Sequence, residues 1–251
     1  MPVPSVPISF TSTKMNLGLA QTLDWIDALL LPNAQRLAAL SFFACLPHPV
    51  LHTARERLRV SGVTVAAQDV WVEAGAVTGE VSPALLAEIG CSHTMVGHAE
   101  RRALFGESDE LVARKAAAAS HVGVTPVVCV GEAEPTAVHD AAALATAQAR
   151  TVTDAVPVGR PLLFLYEPGW TIGGSRAADP AHAGHVLRAL REATEGHDVR
   201  FLYGGAVVPG TYTSLRREGD WDGVALGRAA QDPALLAETL DELVPRTGPV
   251  P

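Results

Sequence analysis

Short apolar runs recur along the chain and alternate with longer segments rich in Ala, Leu, Glu and Arg. The run at residues 161–166, Pro-Leu-Leu-Phe-Leu-Tyr, has no polar alternation, which is typical of a strand covered by helices on both faces. Apolar residues in the longer segments are spaced near 3.6 residues apart, which predicts amphipathic helices. Because strand and helix alternate, the pattern predicts a parallel sheet joined by right-handed crossovers.

Eight strands and the helices between them follow from this pattern. The predicted strands are residues 7–11, 38–45, 63–67, 94–97, 125–130, 162–166, 199–203 and 223–226. The clearest predicted helices are residues 101–119, 133–155, 181–195 and 233–243. No internal repeat or linker interrupts the alternation, so we predict one domain over residues 1–251. Periodicity alone fits either a doubly wound open sheet or a closed barrel.

The length and composition narrow the class of protein. The chain has 251 residues, close to the roughly 250 of one eight-stranded α/β barrel and short for two α/β domains. No apolar stretch reaches the roughly 18 residues that a membrane-spanning helix needs. Residues 1–7 lack the basic flank and apolar core of a signal peptide. We therefore expect a cytoplasmic protein with no membrane partner.

Charge and motifs argue against several other classes. The 27 acidic residues outnumber the 19 basic ones, so the net charge of −8 argues against nucleic acid as a partner. No dinucleotide or P-loop glycine motif follows a predicted strand. Cys45, Cys91 and Cys129 are too few and too widely spaced for a disulfide framework or a zinc site. We predict small core cysteines, with neither a metal nor a cofactor.

The segment YEPGWTIGG at residues 166–174 carries the first sign of chemistry. Glu167 stands where a predicted strand ends, at the rim where parallel α/β proteins place their active sites. Pro168 and the glycines at 173–174 suit the rigid and flexible ends of a lid. An isolated Glu in a loop is more often a solvated surface residue, so the interpretation depends on the rest of the chain.

Two further segments point to one family. CSHTMVGHAERR at residues 91–102, followed by FGE at 105–107, resembles the strand-four signature of triosephosphate isomerase. His98 then stands in the place of that family's electrophilic histidine, although most isolated histidines are structural or exposed. TKMN at residues 13–16 resembles the segment after strand one that supplies the active-site lysine.

The resemblance extends to the later strands and follows the order of the family. YGGAV at residues 203–207 and DGVALGRA at 222–229 are similar to the phosphate-gripping ends of strands seven and eight. GAVTGEVSP at residues 75–83 is similar to the dimer-interface loop after strand three. The matches span roughly residue 6 to residue 245, so chance agreement is implausible. The resemblance implies a single (β/α)8 TIM barrel.

The family's chemistry assigns roles to three residues. By resemblance, Glu167 is the carbon base, His98 the neutral electrophile and Lys14 the electrostatic partner. These residue types suit enolisation, which needs a carboxylate base, a donor at the carbonyl and a cation near the enediolate. A helix that begins after His98 would disfavour imidazolium through its dipole. Only two of the 19 basic residues are lysines, which makes Lys14 more informative than a lysine usually is.

Phosphate binding is expected to rest on backbone N–H groups at the loops after strands six, seven and eight. By resemblance these are the groups of Gly173, Ala206, Gly227 and Arg228. The chain also departs from the family pattern, because Ser12 replaces an Asn before the lysine and Arg228 replaces a Gly. Smaller departures are Thr13 for Trp, Ala99 for Ser and Ala206 for Ser.

The resemblance implies a small phosphorylated sugar as substrate and a homodimer as assembly. The dimer would form through the loop at residues 73–80, which begins with Glu73, ends with Glu80 and carries Thr78 at its tip. Three functions stay open from the sequence: a triosephosphate isomerase, a tetrulose-phosphate (erythrulose phosphate) isomerase with a roomier pocket around Ser12, and a non-catalytic phosphate-binding paralogue. Three intact chemical groups argue against the last of these.

Overall fold

Parallel strands form a closed barrel in the computed structural model, which describes residues 7–174 and 176–244. Within these residues eight strands pair in chain order, and the first strand closes on the eighth. The strands are β1 (Ile8–Ser12), β2 (Phe43–Leu46), β3 (Thr64–Ala67), β4 (His93–Val96), β5 (Thr125–Val130), β6 (Leu162–Tyr166), β7 (Val199–Tyr203) and β8 (Gly223–Ala225). This architecture confirms the (β/α)8 barrel and excludes the open sheet.

Helices surround the barrel and connect its strands. The α-helices of the described part are α1 (Leu19–Trp25), α2 (Ala34–Ala39), α3 (Leu51–Leu58), α4 (Pro83–Ile89), α5 (Ala99–Phe105), α6 (Asp109–His121), α7 (Val138–Ala155), α8 (Pro180–Ala193), α9 (Thr211–Glu218) and α10 (Pro233–Leu243). Short 3-10 helices at His48–Val50, Gly169–Thr171 and Gly227–Gln231, and a π-helix at Ile26–Leu30, complete the connections.

The unbroken apolar run of β6 serves two cores at once. Leu163 and Leu165 pack inside the barrel, whereas Phe164 and Tyr166 pack in the layer between the strands and the helices. Successive side chains of a strand point to opposite faces, so both sets must be apolar. The same alternation carries Glu167, the next residue, toward the inside of the barrel.

Three predicted elements differ from the structure by more than two residues, and one of them, the helix predicted at 133–155, begins only at Val138 in α7. The predicted strand at 38–45 was wrong at its start, because its first residues end α2 and Ser41 turns with a positive φ of 47°. The predicted helix at 101–119 is two helices, because Gly106 adopts a φ of 66° that ends α5. Ser108 then caps α6 by accepting a hydrogen bond from the Leu111 N–H at 3.2 Å.

The three cysteines lie in the apolar core, as the sequence predicted. Cys45, Cys91 and Cys129 are buried and free. Across residues 7–174 and 176–244, no helix is long and apolar enough to span a bilayer. In the same ranges, no cluster of three or more His, Cys, Asp or Glu side chains is arranged as metal ligands would be.

Candidate active site

A pocket of about 520 Å³ lies at the carboxyl ends of the strands. Every residue that the sequence singled out for catalysis or binding lines it. These residues are Ser12, Lys14, His98, Glu167, Gly173, Ala206, Gly227 and Arg228. They come from the ends of five strands and from the lid, so the barrel brings together groups that are far apart in sequence.

Glu167 is held against the pocket by the backbone that follows β6. Its N–H donates to the Val130 carbonyl at 2.9 Å, which extends the pairing of β5 and β6 by one residue. Gly131 allows this approach, because a Cβ there would lie 2.7 Å from the Glu167 carbonyl oxygen. The Glu167 side chain is 9% exposed, and its Oε2 lies 3.2 Å from Nε2 of His98. The predicted base and electrophile therefore face each other.

His98 is aimed by a glycine turn and a helix terminus. Gly97 has a φ of 67°, and a Cβ there would lie 2.7 Å from Cγ1 of Val112. His98 caps α5, and its Nδ1 accepts a hydrogen bond from the Glu100 N–H at 3.1 Å. A ring nitrogen that accepts carries no proton, so the neutral ring has its proton on Nε2, toward Glu167.

Two influences act on the charge of this imidazole in opposite directions. Burial lowers the pKa of His98, but the neighbouring Glu167 carboxylate outweighs it, and the net pKa is raised above its ordinary value. Protonation of Nδ1 would cost the hydrogen bond from Glu100, which favours the neutral ring. A substrate that lies between Glu167 and His98 would weaken the attraction, so the neutral electrophile stays a prediction for the loaded site.

Lys14 is placed by a backbone conformation that a non-glycine residue seldom adopts. Its φ is 50°, in the left-handed region. The Lys14 N–H donates to Oγ of Ser12 at 3.2 Å, and its carbonyl accepts from Nε2 of Gln68 at 2.9 Å. Ser12 therefore supports the lysine backbone in addition to lining the pocket. The Lys14 ammonium forms an ion pair with Glu100.

Gln68 and Glu100 are site residues that sequence reasoning missed. Gln68 also donates to the Cys45 carbonyl at 3.1 Å. Its side chain therefore connects the ends of β2 and β3 to the loop after β1 that carries Lys14. No local pattern around Gln68 signals this contact. Glu100 stands two residues after His98 inside the recognised motif, and that position was its only available signal.

Residues 168–174, which we call the lid, border the pocket through Ile172, Gly173 and Gly174. Hydrogen bonds on the side away from the pocket hold this segment in place. Thr171 is 1% exposed, and its Oγ1 donates to the Pro168 carbonyl at 2.7 Å. Nε1 of Trp170 donates to Oε1 of Glu132 at 3.1 Å, and the Tyr166 hydroxyl donates to the same carboxylate. The buried Glu132 therefore ties the lid to the end of β6.

Gly205 provides the surface on which the lid rests. It has a φ of 102°, and a Cβ there would lie 2.1 Å from Oγ1 of Thr171. Only a residue without a side chain fits between β7 and the lid. The glycines after β7 thus do more than form a turn.

Backbone groups and one side chain form the end of the pocket assigned to phosphate. Gly227 begins the 3-10 helix Gly227–Gln231, whose first N–H groups have no partner inside the helix. Among the described residues, the N–H groups of Gly173 and Ala206 donate no hydrogen bond to the protein. Such groups are suited to an anion. Arg228 donates from Nη2 to the Gly174 carbonyl at 2.5 Å, so its guanidinium contacts the lid.

Comparison with known proteins agrees with this geometry. The family model described as triosephosphate isomerase matches residues 7–243. An L-erythrulose-1-phosphate isomerase of Pectobacterium atrosepticum is 39% identical over 92% of this chain and 93% of its own length. Triosephosphate isomerases of Azoarcus sp. strain BH72 and Bordetella pertussis are 40% and 42% identical, over 86% of this chain and 90% and 89% of their own lengths. The chain belongs to the triosephosphate isomerase family.

Proposed function

We propose that the chain isomerises a short phosphorylated ketose through an enediolate, with dihydroxyacetone phosphate and glyceraldehyde 3-phosphate as the first candidate pair. The observation that carries this proposal is the 3.2 Å approach of the Glu167 carboxylate to Nε2 of His98 beside Lys14. Carboxylate, imidazole and ammonium are the groups that proton transfer next to a carbonyl requires.

Each group has one task in this scheme. Glu167 takes the proton from the carbon next to the carbonyl, and the C–H electron pair forms the enediolate double bond. The Nε2–H of His98 donates to the enediolate oxygens, while Lys14 stabilises their negative charge. Protonated Glu167 returns the proton to the former carbonyl carbon, while the hydroxyl proton passes from one enediolate oxygen to the other through Nε2 of His98, and the carbonyl thereby moves by one position. The N–H groups of Gly173, Ala206 and Gly227 hold the phosphate throughout.

A four-carbon ketose phosphate is the second candidate, favoured by the likeness to an L-erythrulose-1-phosphate isomerase over almost the whole chain. Erythrulose 1-phosphate differs from dihydroxyacetone phosphate by a CH₂OH group on the carbon that would lose its proton. The same proton transfer would then move a ketone to the next carbon and give a ketose 4-phosphate. Ser12 and Ala225, two small residues of the pocket lining, would leave room for this additional CH₂OH group.

We expect kcat/KM for dihydroxyacetone phosphate to exceed that for erythrulose 1-phosphate by about tenfold or more, which corresponds to roughly 1.4 kcal/mol in transition-state binding. Steady-state rates with each substrate at equal ionic strength measure this ratio. An equally large ratio in the opposite direction would establish the four-carbon substrate.

Ser12→Asn provides a second measure of the same choice. It should preserve or raise turnover of the triose phosphate. It should weaken transition-state binding of the tetrulose phosphate by on the order of 1–3 kcal/mol, because the Asn side chain takes up space in the pocket. An Asn side chain also keeps an oxygen that can accept from the Lys14 N–H. The substitution therefore tests space in the pocket and leaves the support of the lysine in place.

We further propose a homodimer, which is supported by exposed residues on one side of the barrel. Residues 73–80 are all exposed, and the Trp71 N–H closes the base of their loop by donating to the Val81 carbonyl at 2.8 Å. Met15, in the loop after β1, and Phe105, at the end of α5, are 91% and 68% exposed. Two copies of the chain that associate through this same surface would bury these apolar side chains.

Light scattering at micromolar concentration should give the mass of a dimer. Thr78→Arg should shift the mass toward the monomer and lower turnover, because the loop tip would lose its place in the partner. Val60→Arg, at an 86% exposed position near the amino ends of the strands, is the control and should stay dimeric. A fully active wild-type monomer would refute the proposal, whereas a larger even-numbered oligomer would agree with it.

A further inference from the structure

Arg228 joins two elements that a substrate would have to bring together. It lies in the 3-10 helix Gly227–Gln231 after β8 and is exposed to solvent. Nη2 donates to the main-chain carbonyl of Gly174, in the lid after β6, at 2.5 Å. Hydrogen bonds from a charged donor are stronger than those between neutral groups. The lid is therefore bonded to Arg228 on the side of the pocket and to Glu132 on the opposite side.

We propose that Arg228 is a latch that couples occupancy of the phosphate end to closure of the lid. The inference rests on the proposed function, because it takes the ligand to be a phosphate ester. Arg228 lines the same pocket as Gly173, Ala206 and Gly227, so its positive charge lies on the side where the phosphate would be held. A dianion there attracts the guanidinium, and the guanidinium carries the Gly174 carbonyl with it. Arg228 is thus a positioning residue.

The shape of the guanidinium makes this double contact possible. Its five N–H groups form a rigid planar fork, so one edge can hold a carbonyl while the others face an anion. An ammonium on a flexible stem keeps the charge but loses this fixed geometry. The bond goes to a main-chain carbonyl, so the latch does not depend on any lid side chain. The alternative is that Arg228 supplies charge alone and that its contact with the lid has no effect.

Three variants separate the latch from simple charge. Arg228→Lys keeps the charge without the fork, and Arg228→Gln keeps a single amide donor without the charge. Arg160→Gln is the matched control, because it removes a guanidinium from the loop before β6, at the opposite end of the barrel. Thermal unfolding of the exposed-site variants should match that of the wild type.

Amide hydrogen exchange at residues 169–174, measured with and without 2-phosphoglycolate, reports on the lid. In the wild type and in Arg160→Gln, the ligand should slow exchange of these amides. In both Arg228 variants this protection should fall by roughly tenfold, the effect of losing one hydrogen bond to a charged group. Binding of inorganic phosphate, which is too small to depend on the lid, should weaken in Arg228→Gln and stay within about twofold in Arg228→Lys.

Two results would overturn the latch. One is full lid protection in Arg228→Lys, which would mean that charge alone suffices, and the other is unchanged protection in Arg228→Gln. Steady-state rates add a separate readout, since a lost latch should lower kcat as well as raise KM. The exchange measurement needs no turnover. A wild-type protein that binds phosphoglycolate but turns over no sugar phosphate would count against the proposed function and leave the latch standing.

Discussion

Replacing Glu167 with Gln is expected to lower kcat/KM by about 10²–10⁴-fold or more, the range for a positioned acid–base group. The amide keeps the shape of the side chain but cannot take a proton from carbon. The buried Oε2 of Glu167 lies 3.2 Å from Nε2 of His98, and the amide oxygen of Gln can take the same place, so the substitution should not destabilise the fold. Steady-state rates with the preferred sugar phosphate measure the loss.

A control isolates the loss of chemistry from the loss of binding. Glu195→Gln makes the same change at an exposed position just before β7, at the amino ends of the strands, and should leave kcat/KM unchanged. Glu167→Gln should still show a thermal shift with phosphoglycolate, because the substitution leaves the N–H groups that we propose hold the phosphate intact. If Glu167→Gln keeps activity within a few-fold of the wild type, Glu167 is not the base.

Gly205→Ala should lower kcat/KM by about 10²-fold, the scale of a roughly 1 Å displacement at an active site. Its Cβ would lie 2.1 Å from Oγ1 of Thr171, which is buried and bonded to Pro168. The lid must therefore move away from β7, and Ile172 and Gly173 would move with it. The measurement is kcat and KM for the sugar phosphate together with the affinity for phosphoglycolate.

Gly196→Ala is the control for the backbone part of this effect. Gly196 has a φ of 90°, close to that of Gly205, but a Cβ there would have nothing within 4 Å. Both variants should lose about 1–2 kcal/mol of stability from the left-handed conformation. Only Gly205→Ala should lose activity. Equal activity in the two variants would show that the contact with Thr171 is unimportant.

Local apolar patterns predicted the strands and helices, whereas the closed barrel and the pocket were predicted from short motifs that resemble those of one family. The apolar run of β6 is continuous in sequence, and Glu167 follows it directly, so the end of a strand and its carboxylate are predicted together. The motif around His98 likewise lies within one segment. The predicted start of β2 was wrong because apolar residues are as common at the end of a helix as in a strand. Nothing in the sequence around Ser41 indicates a left-handed turn.

The contacts in the site that the sequence did not predict join segments that are far apart along the chain. Gln68 reaches the carbonyl of Lys14, and Arg228 reaches that of Gly174, and main-chain acceptors leave no trace in the identity of the residue that carries them. The scarcity of lysines was informative but not decisive. Lys115 is fully buried between Asp69 and Glu107, at 2.8 and 2.6 Å, and composition alone does not separate it from Lys14.

The alternation of side chains along β6 limits which insertions and deletions this protein can tolerate. Because Glu167 points inward by strand parity, inserting or deleting one residue within Leu162–Tyr166 would turn the carboxylate into the layer beneath the helices. Point substitutions between apolar residues leave that parity unchanged. Active variants should therefore keep the number of residues between the β6 ladder and Glu167 constant. The length of β6 thus determines to which side of the sheet the Glu167 carboxylate points.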